Sequence, residues 1–121
     1  MFNHLIARSI ELLDNPSSHF KHFAYLLRRN KVLSMGWNLN CKTHPLTKKF
    51  GYKYNYIHAE LMAVRNFPFS PQLLSKCKLV SIRLNNTGRL MIARPCVPCQ
   101  RLLHYFNIGE VWYSINERFV Q

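Results

Sequence analysis

Two short segments constrain this chain more than anything else in it: His58-Ala59-Glu60 and, far downstream, Pro95-Cys96-Val97-Pro98-Cys99. Cysteines at i and i+3 on the first turn of a helix lie on one face and can share one ion. Pro95 opens such a helix, at a position where a missing N–H does no harm. The helix N-terminus favours the charged thiolates. A histidine from a second helix start brings the ligands to three, the number a catalytic zinc takes while it keeps a fourth position for water. Any fold that uses these residues together must bring two helix starts to one point. Zinc lowers the pKa of its water to about 7. Glu60, two residues beyond His58, is placed to reach that water rather than the metal. The competing reading is a structural zinc site closed by a fourth ligand, Cys41 or His44, which leaves Glu60 without a role.

Charge sharpens the case for Glu60. Seventeen Lys and Arg face five acids, a formal +12. Glu60 is the only carboxylate between residues 15 and 109. A solvated helix face would carry several acids among its cations, so a solitary one points to a specific use. The excess positive charge attracts polyanions, with nucleic acid or a nucleotide phosphate as the expected partner. The plainer alternative is a basic protein that only sits against a larger anionic assembly.

With 121 residues, 48% of them hydrophobic, the chain suits one folded domain spanning residues 1–121. No stretch approaches a membrane span, so no membrane partner is expected. The first residues read as an amphipathic helix and not as a secretory signal, which implies a cytoplasmic location. Four cysteines without a signal peptide, two of them in a C-x-x-C pair, favour metal over disulfides. Cys77 reads as a small buried hydrophobe.

Periodicity gives an outline. Residues 2–14 are helical, stopped by Asn15-Pro16. HFKHFAYLLRR and VLSMGWN form a hairpin about a polar turn at Arg29-Asn30-Lys31. Residues 39–56 are a long loop, of a length usually functional or mobile. A helix runs from His58 to about Asn66, and Pro71–Lys76 suits a short helical turn. CKLVSIRL is a strand, Asn86-Thr87-Gly88 a turn, and LMIA a second strand. The helix after Pro95 buries Leu102, Leu103 and Phe106, and EVWYSI is the last strand. Strands separated by helices predict a layered α/β sandwich with some parallel pairing.

The pattern H-x-E…P-C-x-x-C resembles that of the zinc deaminases, in which the Glu lies outside the metal shell. The resemblance, to the cytidine, deoxycytidylate and tRNA-adenosine deaminase superfamily, runs from about Phe20 to Ile115. It includes the hairpin LLRRNKVLSMGWN and the stretch RLMIARPCVPCQRLLHYFNIGEVWYS. It implies a three-layer α/β/α sandwich with a mixed sheet, and a Zn2+ cofactor on His58, Cys96 and Cys99. It also implies that Glu60 is catalytic, moving protons from water to the ring nitrogen and the leaving amine. The implied reaction converts a cytosine base to uracil, on a nucleotide such as deoxycytidylate. By the same resemblance Asn38 contacts the substrate sugar, the backbone at Ala59 and Pro95 frames the base, and Tyr113 lines the pocket. Arg94 stands where other branches have Glu, Ser, Thr or His. It either binds a phosphate or pyrimidine carbonyl or only packs on the loop.

The chain also departs from the family. The Asn38–His58 gap is long, and Cys41-x-x-His44 could be half of a second metal site or two ordinary loop residues. The C-terminal side is truncated, with only NERFVQ after the last strand. This leaves a sheet edge that is bare or covered by a partner, so a homo-oligomer is expected. Lys48, Lys49 and Lys53 interleave with Phe50, Tyr52, Tyr54 and Tyr56. That mixture suits single-stranded DNA or RNA, or else a solvated loop whose aromatics pack inward. His104 reads as a surface or packed residue, and His4, His19 and His22 have no spacing that suggests a site. Two rival functions follow: a polynucleotide cytosine or adenine deaminase, and an inactive zinc-stabilised nucleic-acid-binding or structural module.

Overall fold

The computed structural model describes residues 2–13, 21–38, 49–51, 58–116 and 118–121. Helix α1 spans Asn3–Leu13, and the hairpin follows as β1 (His22–Arg28) and β2 (Lys31–Trp37). Helix α2 covers Ala59–Arg65, a 3-10 turn covers Pro71–Lys76, and β3 runs Lys78–Leu84. Then come β4 (Leu90–Met91), α3 (Val97–Tyr105), β5 (Glu110–Ile115) and β6 (Arg118–Val120).

The strands form one sheet in the order β2-β1-β3-β5-β6, with β4 paired to β3. Only β3 and β5 are parallel, joined by a crossover that contains α3; the remaining pairs are antiparallel. The sheet is therefore mixed, as expected. Side chains alternate along β1 and β3 and fill two separate cores. Phe23, Tyr25, Leu27, Val80 and Ile82 pack beneath Leu5 of α1. Ala24, Leu26 and Leu79 face the other way, toward Leu61 and Met62 of α2 and Leu102 of α3. Helices on both faces make the three layers predicted.

Helix α2 is buried from Ala59 through Val64. A helix with so little polar surface is stable only inside a core. It lies hard against β2 because Gly36 has no side chain: a Cβ there would sit 2.2 Å from the Ala59 carbonyl oxygen and 2.4 Å from the Ala63 nitrogen. Ser34 completes the contact by donating its hydroxyl to the Ala63 carbonyl at 2.6 Å.

Two strands differ from expectation. LMIA shrinks to Leu90–Met91, because beyond it serine hydroxyls and a backbone bond to β5 replace the ladder with β3. Ser114 accepts the Arg83 N–H at 3.3 Å and donates its hydroxyl to the Met91 carbonyl at 2.6 Å, while its own carbonyl accepts the Ala93 N–H at 2.9 Å. The edge beyond EVWYSI, expected to be bare or covered by a partner, is instead paired within the chain. The chain reverses at Asn116 (φ +37°), and β6 pairs with β5 through Tyr113–Val120, Ser114–Phe119 and Ile115–Arg118. No helix among the described residues is long and apolar enough to cross a membrane.

Candidate metal centre

Each half of the site is delivered by a helix start. His58 is the N-cap of α2, in extended backbone (φ −74°, ψ 156°), and its carbonyl accepts the Met62 N–H at 3.0 Å. Cys96 is the N-cap of α3 (φ −67°, ψ 168°), and its carbonyl accepts the Gln100 N–H at 2.8 Å. Neither cap uses its side chain on its own helix. The segment leading to Cys96 is anchored from below by the Ser81 hydroxyl, which donates to the Ala93 carbonyl at 3.0 Å. It is held from above by the Gln100 amide, which donates to the Pro95 carbonyl at 2.9 Å.

The three side chains meet. His58 Nδ1 lies 3.5 Å from Cys96 Sγ and 3.5 Å from Cys99 Sγ. The three ligand atoms all lie within 4.8 Å of one another. Zinc bonds of about 2.0 Å to nitrogen and about 2.3 Å to sulfur, at tetrahedral angles, separate N from S by about 3.5 Å. The donor set fits that ion in chemistry and in spacing. The Cys96 thiol is pulled down to about 4, chiefly by its hydrogen bond with the Cys99 thiol; burial opposes this and His58 assists it. A thiol so inclined toward thiolate is prepared to be a ligand.

Glu60 is 1% exposed, and its Oε1 has no hydrogen-bond partner. It lies in the first turn of α2, where the helix dipole favours negative charge. His22 Nε2 lies 3.6 Å from Oε1.

No family profile matches the chain, and no curated protein sequence is significantly similar to it. Solved structures share its shape. One is a dCMP deaminase from the cyanophage S-TIM5 in apo form, at TM-score 0.56 and 16% identity, covering 95% of this chain and 86% of that one. Another is cytidine deaminase from Mycobacterium tuberculosis, at TM-score 0.55 and 18% identity, over 99% and 89%. A mutant of that enzyme gives 0.56 and 18% identity, over 100% and 90%. The chain has the cytidine deaminase-like fold.

Within the cytidine deaminase-like fold the remaining residues divide into three groups. Arg94, Pro95 and Tyr113 come together in a cavity of about 330 Å³ that also takes in Gln100 and His104. None of His58, Glu60, Cys96 and Cys99 lines it. Asn38, at the end of β2, accepts the His22 backbone N–H on Oδ1 at 3.3 Å, and Ala59 is buried under Gly36. Cys41 and His44 lie outside the described residues, as do Lys48, Lys53, Tyr52, Tyr54 and Tyr56. Of that aromatic loop, Phe50 is buried with its ring against Tyr105 and Phe106, so it is not available to stack on a base. Lys49 is exposed, 3.9 Å from the centre of the Tyr105 ring.

His22 is the residue that sequence reasoning missed. Its signal was the strand alternation: His22, Ala24 and Leu26 share one face of β1, the face that receives Glu60. That signal becomes readable only once α2 is assigned to the same face.

Proposed function

We propose that this protein is a zinc-dependent hydrolytic deaminase that converts a cytosine base to uracil with release of ammonia, on a nucleotide such as deoxycytidylate. One observation carries the reading. An imidazole nitrogen lies 3.5 Å from each of two cysteine sulfurs, and a buried carboxylate with an unpaired oxygen stands two residues away on the same helix. The cytidine deaminase-like fold supports it independently.

His58, Cys96 and Cys99 would hold the zinc. The ion supplies Lewis acidity and makes water acidic enough to lose a proton near neutral pH. Glu60 would take that proton and deliver it to the ring nitrogen, and would then carry the second proton of the same water to the departing amine. The ring carbon gains the oxygen of water and loses the amine, so water and cytosine become uracil and ammonia. Burial keeps Glu60 from being diverted to bulk solvent. Asn38 spends its oxygen on the His22 N–H, so its amide hydrogens are what it offers a sugar hydroxyl. The backbone at Ala59 and Pro95 frames the base, and Arg94, exposed at the rim of the neighbouring cavity with Tyr113, takes the phosphate.

The test is ammonia release by the zinc-loaded protein over deoxycytidylate, cytidine, adenosine and single-stranded oligonucleotides. Glu60→Gln should retain zinc and lose turnover by about 10²- to 10⁴-fold. Ammonia release from none of these by the wild type, or full activity in Glu60→Gln, overturns the reading. The second reading is a polynucleotide substrate, favoured by the formal +12 charge. Turnover of oligonucleotides and not of deoxycytidylate would select it.

A further inference from the structure

Ser81 fixes where one hydrogen of this site must be. A serine hydroxyl has a single hydrogen to give. Ser81 gives it to the Ala93 carbonyl, at 3.0 Å. Yet Ser81 Oγ also lies 2.7 Å from His22 Nε2. Both contacts are hydrogen bonds only if the oxygen accepts from the ring, which assigns the hydrogen of the shorter one to His22 Nε2. The residue is thereby held at two places. Its backbone N–H is taken by Asn38, and its Nε2–H is aimed at Ser81.

The same nitrogen lies 3.6 Å from Glu60 Oε1, the buried oxygen that has no hydrogen-bond partner. The side chain of His22 is 22% exposed and that of Glu60 1%. The positive end of an N–H dipole beside Oε1 restrains the carboxylate without forming a full bond that would have to break when the acid does its work. Serine, histidine and asparagine come from β3, β1 and β2. The sheet itself, and not α2, therefore sets the partner of the acid.

We infer that His22 is a positioning residue for Glu60: through its Nε2–H, locked by Ser81 and Ala93, it holds the carboxylate in place for proton transfer. The inference rests on the deaminase reading and deepens it. Misplacing a proton-transfer group costs far more in turnover than in binding.

The test has two parts, both on the zinc-loaded full chain. The first needs no substrate. Ring ¹⁵N spectra of His22 should show the hydrogen on Nε2, and Ser81→Ala should disturb that pattern. A hydrogen found on Nδ1 alone overturns the inference. The second part uses deoxycytidylate. His22→Phe keeps a ring of similar size and removes the donor. It should lower kcat by about 10- to 100-fold while KM and zinc content stay near wild type. His22→Gln, whose amide nitrogen reaches the place of Nε2, should recover most of the loss, and His22→Asn should not. Unchanged kcat in His22→Phe overturns the inference, as does equal recovery by Gln and Asn or a change confined to KM. If wild type and Glu60→Gln are equally inactive or equally active, the deaminase reading itself fails, and the ring spectra still decide the hydrogen.

Discussion

Only two buried side-chain polar atoms among the described residues lack a hydrogen-bond partner, Glu60 Oε1 and the Trp112 indole nitrogen. Leaving a buried acceptor unmet costs about 1–3 kcal/mol, more when it is charged. Glu60→Gln should therefore cost little stability even as it removes turnover, and urea unfolding of the zinc-loaded forms would check this. The two sulfurs behave differently. Cys96 is exposed and Cys99 is buried. Both Cys→Ala variants should lose zinc, read by metal content after gel filtration, because each removes a ligand. In zinc-free protein the pH dependence should separate them. The Cys96 thiol falls from 9.0 to about 4 on folding. A lowered value means that folding releases a proton between these limits. The stability it contributes is full above about pH 9 and is lost as pH falls through about 4. Zinc-free wild type should thus gain more in urea midpoint between about pH 5 and about pH 8 than Cys96→Ala does; an equal gain would remove Cys96 as the source. His58, Glu60, Cys96 and Cys99 were legible in the sequence because each motif carries its own spacing. His22 was not, because what makes it matter is a register between strands.

At the scale of elements, the same division holds. The helices and the hairpin announced themselves by period and by turn residues. Arg29 and Asn30 both hold positive φ, 53° and 64°, as a two-residue I′ hairpin turn requires. Asn30→Gly should raise the melting temperature slightly, since glycine takes that backbone without strain. By contrast β6 has three residues and carries a charged arginine, too little pattern to read. Its existence depends on the edge that β5 offers. The length of β4 depended on Ser81 and Ser114, whose hydroxyls a periodicity argument does not see. Helix α1 is tied to the sheet by a polar contact within an apolar core: Tyr25 Oη and Ser9 Oγ lie 2.7 Å apart, and Ser9 donates to the Leu5 carbonyl at 2.8 Å. With that hydrogen spent, the tyrosine must donate. Burial raises the Tyr25 hydroxyl above 10.0, against the smaller effects of Ser9 and Arg8. The stability tied to the neutral phenol is full below about pH 10 and is lost as pH rises through the folded value. Tyr25→Phe should lose about 1 kcal/mol near neutrality, where a hydrogen bond is deleted, and should unfold less steeply in alkali. Circular dichroism across an alkaline titration would show it.

Over the whole molecule, the layers place chemistry at one end of the sheet. The start of β1, the end of β2, the segment after β4 and the starts of α2 and α3 converge there. If the proposed zinc is bound, removing it with a chelator should lower the melting temperature, because an ion held by His58, Cys96 and Cys99 would join two helices that otherwise share few contacts. A formal +12 charge should make any affinity for single-stranded DNA fall steeply with salt. A flat salt response in a filter-binding titration would set polyanion binding aside. Gly36 has a consequence for all of this. The helix bearing His58 and Glu60 rests directly on strand backbone, with no side chain between them to yield or be resized. That contact acts as a mechanical stop. Putting a methyl group there would push the helix off the strand and part His58 from the two cysteines, so a strand residue outside the ligand set would govern how tightly a metal on those three is gripped.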